Sequence, residues 1–157
     1  HNGKRTISAF CRKARPRMTD TLTVQLMFQG RANAALDLYD SAIAPLELLS
    51  RTLYGPDEMG ENGQVKTAWC RIGNVRIHCF DSPVPHDFDF TPSTSLCLAL
   101  KDKQAVADTF AKLADGGTGL MPLDSYDFSP WFGWVQDCFG VSWQLSVTAP
   151  GDAKENV

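Results

Sequence analysis

One pattern of predicted secondary structure occurs twice in the chain, and this repeat limits the possible folds more than any other feature. Residues 133–144 (GWVQDCFGVSWQ) predict a strand, a tight turn centred on Gly140 and a second strand. Sixty-six positions upstream, residues 74–78 (NVRIH) stand where residues 140–144 (GVSWQ) stand in this hairpin. The spacing indicates that one fold unit is duplicated.

The first copy of the unit is predicted as βαβββ. Residues 23–28 alternate between two rows of side chains, which is typical of a half-buried strand. A helix follows Gly30 and ends at Ala44-Pro45, because apolar residues recur there at three- and four-residue spacing. The apolar stripe of this helix consists of Ala32, Ala35, Leu36 and Tyr39. Three further strands are predicted at residues 46–54, 65–72 and 75–80.

The second copy repeats this order of elements. A strand at residues 94–100 precedes a helix at residues 102–115, which Gly116-Gly117 ends. Three strands follow at residues 120–123, 131–137 and 141–147, with one long insertion at residues 124–130. The modules are therefore expected at residues 22–81 and 93–148, within a single domain of residues 18–150 that is followed by a tail, residues 151–157.

The predicted fold class is α+β, with the two βαβββ modules forming a curved eight-stranded cup and the helices outside. Each module alone would leave one sheet face bare, so we expect the two sheets to pair around a shared cavity. The apolar rows are expected to pack under the helices: Val24, Leu26 and Phe28, and Leu96, Leu98 and Leu100. The alternate residues then turn toward the cavity: Thr23, Gln25, Met27, Ser95, Cys97 and Ala99.

The charge distribution argues against a nucleic-acid partner. Residues 1–17 carry six Lys or Arg and no acid, so nine basic residues face eighteen acidic ones from Met18 onward. The expected folded part is therefore acidic, whereas a surface that tracks phosphates needs clustered Lys and Arg. No apolar run approaches the roughly 20 residues of a membrane span, so we expect no membrane partner.

The five cysteines indicate a reducing compartment. Their number is odd, and they form neither a CxxC pair nor a zinc-like spacing: Cys11, Cys70, Cys79, Cys97 and Cys138. Reduced thiols are typical of cytosolic proteins, so we expect a cytoplasmic location.

The first seventeen residues show no helical or strand periodicity and are interpreted as a leader. Met18 is a candidate natural start, because it directly precedes the first predicted strand. A functional basic arm and an Arg-rich organelle-targeting segment are the alternatives.

Three sequence motifs, in this order and spacing, give the chain a family resemblance. They are FxGxAxxALxLY at residues 28–39, HxFxFT at residues 86–91 and GWxxDxFGxSWQ at residues 133–144. Over residues 22–147 the chain resembles the vicinal-oxygen-chelate superfamily, which includes glyoxalase, bleomycin-resistance proteins and ring-cleaving dioxygenases. It is most similar to the PhnB-like branch, also labelled demethylubiquinone methyltransferase-like. The resemblance implies a homodimer, and it leaves open whether the two modules pair within one chain or across the dimer.

In metal-dependent members of this superfamily, a divalent ion is held by His on the first strand and Glu on the last strand of each half. The Glu positions fall on His78 and Gln144, and the His positions fall near Thr23 or Gln25 and near Ser95. Only His78 is a good metal ligand, although Cys97 could supplement the set. We therefore predict no metal and no cofactor, with a divalent metal as the alternative.

The candidate ligand-binding residues are Thr23, Gln25, His78, Ser95, Cys97, Trp134 and Gln144. His78 is a candidate base or ligand, or a hydrogen-bonded histidine in the cavity wall. Gln144 either contacts a ligand or belongs to a satisfied network, for example with Gln25. The tryptophans 69, 131, 134 and 143 are core or dimer contacts unless they lie on the cavity face. The loop around His86 is interpreted as a cap, with a ligand gate as the alternative.

Three functions remain open. The first is a metal-free small-molecule binding protein. The second is a lyase, isomerase or dioxygenase that uses His78 as base or ligand and Gln144 to polarise a substrate oxygen. The third is a non-catalytic dimeric interaction module. The methyltransferase activity is not carried over, because Gly116-Gly117 ends a helix and no glycine-rich strand-to-helix turn of a Rossmann-like sheet occurs.

Overall fold

Two βαβββ modules follow one another in the computed structural model, which describes residues 21–148. The first contains β1 (Thr23–Phe28), α1 (Ala32–Ala42), β2 (Leu46–Leu53), β3 (Val65–Ile72) and β4 (Val75–Asp81). The second contains β5 (Ser95–Leu100), α2 (Lys103–Ala114), β6 (Thr118–Tyr126), β7 (Ser129–Gln136) and β8 (Ser142–Val147). The predicted duplication and the α+β class are confirmed. The leader, Cys11, Met18 and the tail lie outside the described residues.

Each module forms its own four-stranded sheet with the same topology. The strand orders are β1-β4-β3-β2 and β5-β8-β7-β6, and the first and last strands of each module pair in parallel. Gln25 lies opposite His78 in the first sheet, and Cys97 lies opposite Gln144 in the second. The described strands therefore belong to two separate sheets and form no closed barrel.

The two helices begin in different ways. In α2, the carboxylate of Asp102 accepts a hydrogen bond from the N–H of Ala105 and caps the helix locally. In α1, the buried carboxylate of Asp81, at the end of β4, accepts from the N–H groups of Gly30 and Ala32. Asp81 also accepts from the N–H of Val65, so one side chain joins the start of α1 to β3 and β4.

The predicted insertion at residues 124–130 is wrong. β6 continues to Tyr126 and β7 begins at Ser129, so these residues form the two strand ends and the turn of a hairpin. The β6–β7 register shifts repeatedly, which removes the alternation that marks a regular strand. Gly116 lies in the turn between α2 and β6 and has a φ of 68°, a backbone conformation that favours glycine.

The two modules share one hydrophobic core, which lies on the helix-facing sides of both sheets. Leu26, Phe28, Leu98 and Leu100 are buried there together with the apolar stripes of α1 and α2. The helices contact each other, and the Nζ of Lys112 donates to the carbonyl of Ser41 across this contact. The modules therefore meet through their helix sides.

Asp137, a buried carboxylate in the turn before β8, fixes this junction. Its Oδ2 accepts from the hydroxyl of Tyr39 at 2.7 Å and from the Nε1 of Trp143 at 3.0 Å. Its Oδ1 accepts from the N–H groups of Phe139 and Val141. Burial, followed by the negative charge of Asp137, raises the pKa of Tyr39 well above its ordinary value. Tyr39 belongs to the first family motif and Asp137 to the third, so these motifs meet here.

We predict that Tyr39→Phe lowers the free energy of unfolding by about 1.5 to 3 kcal/mol, the range for a hydrogen bond to a charged group. Urea denaturation followed by circular dichroism measures this change. Tyr126→Phe is the matched control, because the Tyr126 hydroxyl donates to the Pro122 carbonyl at an exposed position. The control should lose less than about 0.5 kcal/mol. Equal losses in the two variants would contradict the role given to Asp137.

Candidate functional site

The sheet surfaces that point away from the helices carry the candidate site residues. Face A is defined by the outward residues of β1, β4 and β3: Thr23, Gln25, Met27, Arg76, His78, Phe80, Thr67, Trp69 and Arg71. Face B is defined by the outward residues of β5, β8 and β7: Ser95, Cys97, Ala99, Ser142, Gln144, Ser146, Phe132, Trp134 and Gln136. Strand alternation places these side chains opposite the buried rows.

His78 is hydrogen-bonded through both ring nitrogens. Its Nδ1 lies 3.1 Å from the Oε1 of Gln25, and its Nε2 lies 2.7 Å from the Oγ1 of Thr67. Since the amide oxygen can only accept, Nδ1 carries the proton and Nε2 accepts from the Thr67 hydroxyl when the ring is neutral. This tautomer orients the imidazole on face A.

His78 also lies within a row of rings. Its ring centre is 4.7 Å from that of Trp69, its cross-strand partner, and 5.4 Å from that of Phe80, which is nearly parallel to it. The guanidinium of Arg76 lies over the ring of Trp69, 4.4 Å from its centre. The row therefore runs in the order cation, indole, imidazole, phenyl.

Burial lowers the pKa of His78 below its ordinary value. The charged side chains of face A are Arg71 and Arg76, and among the described residues no carboxylate hydrogen-bonds the ring. The imidazole is therefore neutral near pH 7. To act as a base it would have to give up the hydrogen bond from Thr67, so this geometry favours the hydrogen-bonded wall among the roles predicted for it.

Face B carries a chain of hydroxyl and amide groups. The Nε2 of Gln144 donates to the Oγ of Ser95 at 3.2 Å, and this hydroxyl lies 2.7 Å from the Oγ of Ser142. The Nε1 of Trp134 donates to the same Ser142 oxygen at 2.8 Å. Cys97 is exposed beside Gln144 as its parallel cross-strand neighbour. Gln144 is thus bonded within its own sheet, to Ser95, in place of the suggested partner Gln25.

Sequence reasoning missed two members of these networks, Thr67 and Ser142. Thr67 lies two residues before Trp69, and Ser142 lies two residues before Gln144. The period of two would have placed both on the open faces, but neither side chain matched a position implied by the resemblance.

The structure separates the four tryptophans. Trp69 and Trp134 occupy equivalent positions on faces A and B, opposite His78 and Gln144 respectively. Trp143 is buried at the Asp137 junction, and Trp131 packs against the core with Lys103 over its ring. Two tryptophans are therefore available to a ligand, and two are structural.

No side-chain hydrogen bond or ion pair among residues 21–148 joins face A to face B. The contacts that link the modules use the helix side, including the Tyr39 hydrogen bond to Asp137 and the Arg31 hydrogen bond to the Cys138 carbonyl. Two clefts lie between β5 and the first sheet, with volumes of about 260 and 270 Å³. Gln25 and Ser95 line the first cleft, and Ser95 and Cys97 line the second, whereas His78 and Gln144 line neither.

The loop that joins the modules is anchored to the end of β1. The backbone N–H of His86 donates to the Oε1 of Gln29, and its Nε2 lies 2.9 Å from the Oγ of Ser82. Phe90 packs edge-on against Phe28 at 5.1 Å. These bonds hold the loop against the first sheet, and its role as a cap or a gate stays a prediction.

The donor atoms on the two faces fit a divalent metal poorly. The positions that the resemblance assigns to ligands hold one imidazole, two amides and hydroxyl or thiol groups. Within the described part of the chain, no three His, Cys, Asp or Glu residues lie close enough together to hold an ion. Transition metals need several imidazole, thiolate or carboxylate ligands.

Comparison with known proteins places this fold in a family. The model of the family described as 3-demethylubiquinone-9 3-methyltransferase matches residues 20–146. A PhnB protein from Bacillus cereus that carries the same family description is 39% identical, with a TM-score of 0.77 over 82% of this chain and 100% of that one. No curated protein matches the chain.

More distant structures show the same fold. PA1353 from Pseudomonas aeruginosa is 23% identical, with a TM-score of 0.68 over 81% of this chain and 98% of that chain. A glyoxylase/bleomycin resistance protein/dioxygenase domain from Frankia sp. EAN1pec is 13% identical, with a TM-score of 0.60 over 86% of this chain and 96% of that one.

The duplicated βαβββ modules and these neighbours define a protein of the glyoxalase/bleomycin-resistance fold. Within this class the chain belongs to the PhnB-like, 3-demethylubiquinone-9 3-methyltransferase-like family. Of the helices described in residues 21–148, neither is long and apolar enough to cross a membrane.

The described residues do not fit the nucleotide-methionine cofactor that the family description implies. Such a cofactor usually rests on a strand-to-helix turn of a doubly wound parallel sheet. Here both sheets are mixed, and at the turn between β1 and α1 the carboxylate of Asp81 already occupies the N–H groups of Gly30 and Ala32.

We predict that the imidazole of His78 titrates below pH 6.5 in the folded protein, because burial disfavours its charged form. The stability linked to this group is then fully present above the unfolded pKa and is lost as the pH falls through the folded pKa. NMR titration of the ring protons, assigned with the variant His78→Gln, measures the midpoint. A midpoint at or above 6.5 would contradict the neutral environment described here.

Proposed function

We propose that this protein binds a small molecule without a metal, in a cavity that two copies of the chain complete together. The observation that carries the proposal is the composition of the open faces. Each combines a half-buried tryptophan, Trp69 or Trp134, with a hydrogen-bonded polar group, His78 or Gln144. An aromatic side chain beside a polar group that is fixed by hydrogen bonds is a combination found in ligand sites.

The proposed cavity forms when face A of one copy lies opposite face B of another. Phe80 and Phe132 are half-buried on the faces that carry the two tryptophans, and Arg76 and Cys97 are exposed there. The two modules have the same topology, so a twofold axis can place face A of each copy opposite face B of the other. The two equivalent contacts then form a closed dimer. The helix sides are unavailable for this pairing because they are buried in the common core.

The absence of a metal from the proposed site follows from its donors. One imidazole with both nitrogens engaged, supported by amides and hydroxyls, gives a divalent ion little to bind. Cytoplasmic location is part of the same proposal. It is supported by the free thiols of the described cysteines, which are Cys70, Cys79, Cys97 and Cys138.

Enzymatic turnover is the second candidate function, and one observation favours it. The Nε2 of His78 accepts from the mobile hydroxyl of Thr67, so a ligand proton donor could replace this hydroxyl. Gln144 would then contribute from the partner's face B. The wall role needs no such exchange and is therefore preferred.

We predict that native mass spectrometry of untagged protein, purified from its source, shows a dimer that carries a small molecule and no stoichiometric metal. Denaturation should release the molecule for identification. A dimer without any added mass, and without a thermal shift on adding a metabolite library, would favour the interaction module instead. A stoichiometric metal would overturn the metal-free proposal.

We predict that Ala99→Lys raises the dimer dissociation constant at least about tenfold, because an exposed position of face B would become a charge buried in the interface. Sedimentation velocity over a concentration series measures this constant. Ala111→Lys, the same change at an exposed position of α2, is the matched control and should leave it unchanged. Equal behaviour of the two variants would show that face B is not the interface.

A further inference from the structure

Arg76, an exposed residue of face A, forms no ion pair with any carboxylate of the described residues. The ion pairs found among the described residues are Arg51–Asp37, Lys66–Glu58 and Arg71–Glu47. Arg76 takes part in none of them, and its guanidinium lies over the ring of Trp69. This stacking orients a planar fork of N–H donors without using them.

The rings beside Arg76 present their edges above the sheet. Side chains stand roughly perpendicular to a sheet, and the Trp69, His78 and Phe80 rings pack against one another along face A. Ring edges carry the positive side of the aromatic quadrupole, so they attract the negative face of another ring. A flat conjugated molecule is therefore a suitable partner for this row.

The equivalent position of the second module carries no charge. Arg76 lies opposite Thr23 in the first sheet, and Ser142 lies opposite Ser95 in the second, so Arg76 and Ser142 correspond. Ser142 is occupied by hydrogen bonds with Ser95 and Trp134. A cavity built from both faces thus has a cationic side and a neutral side of hydroxyl and amide groups.

We propose that the ligand is a planar aromatic carboxylate, with its carboxylate on Arg76 and the face of its ring over the edges of Trp69 and His78. This inference rests on the proposed function, because it names the ligand class of the same cavity. A guanidinium and a carboxylate form two parallel hydrogen bonds, which fix the orientation of the ring as well as its charge. His78, which is neutral near pH 7, adds no second positive charge.

The preference for a carboxylate is tested by isothermal titration calorimetry of the intact protein, with 1-naphthoate and with the neutral 1-naphthalenemethanol as ligands. Wild type should bind the carboxylate at least about tenfold more tightly than the alcohol. Arg76→Gln should remove this preference by weakening the binding of the carboxylate. Arg76→Lys should keep part of it, because it retains the charge but not the fork. Lys103→Gln, which removes a cation stacked over Trp131 on the helix side, is the matched control and should keep all of it.

Equal affinities for the two probes in wild type would overturn the charge selection and leave the proposed binding function standing. A preference that survives in Arg76→Gln would likewise overturn the role of Arg76. Failure of both probes to bind would overturn the aromatic ligand class. The proposed function is decided separately, by the molecule that the purified protein carries.

Discussion

The buried carboxylate of Asp137 is the interaction on which the arrangement of the two modules depends. It joins the turn before β8 to Tyr39 on α1 and to Trp143 in the core. A charge in this position is tolerated only because four donors satisfy it, two from side chains and two from backbone N–H groups. Since the helix sides are held together here, the opposite surfaces of both sheets are left facing outward. Faces A and B are therefore left free of the intramolecular junction, because the modules join through their helix sides.

Much of the fold could be predicted because alternation and helical spacing are local signals. The period of two placed Gln25 and Cys97 on the side of their strands away from Leu26 and Leu98, and the repeat gave both modules. The hairpin around residue 127 was missed, since an irregular register hides the alternation of β6. Asp81 and Asp137 were missed for a different reason. Their partners come from distant elements, so no local pattern marks a carboxylate as buried.

The duplicated backbone carries side chains that have diverged. Trp69 and Trp134 occupy the same position in the two sheets, whereas His78 corresponds to Gln144 and Arg76 to Ser142. A sheet constrains the positions of its outward side chains but not their chemistry, because these residues take no part in the core. The two faces can therefore differ in charge and polarity while the topology of the modules remains the same.

The most specific sequence motif of the family has a structural explanation in its central part. Within GWxxDxFGxSWQ, Asp137 binds Trp143, and Gly140 turns the chain with a φ of 94°. Trp134 and Gln144 lie on face B, but they are bonded within their own sheet. Much of the motif thus specifies how the modules of this chain join, and it assigns no reaction to the chain. In the proposed cavity, the cation and the imidazole come from residues outside this motif, Arg76 and His78, which belong to the other module.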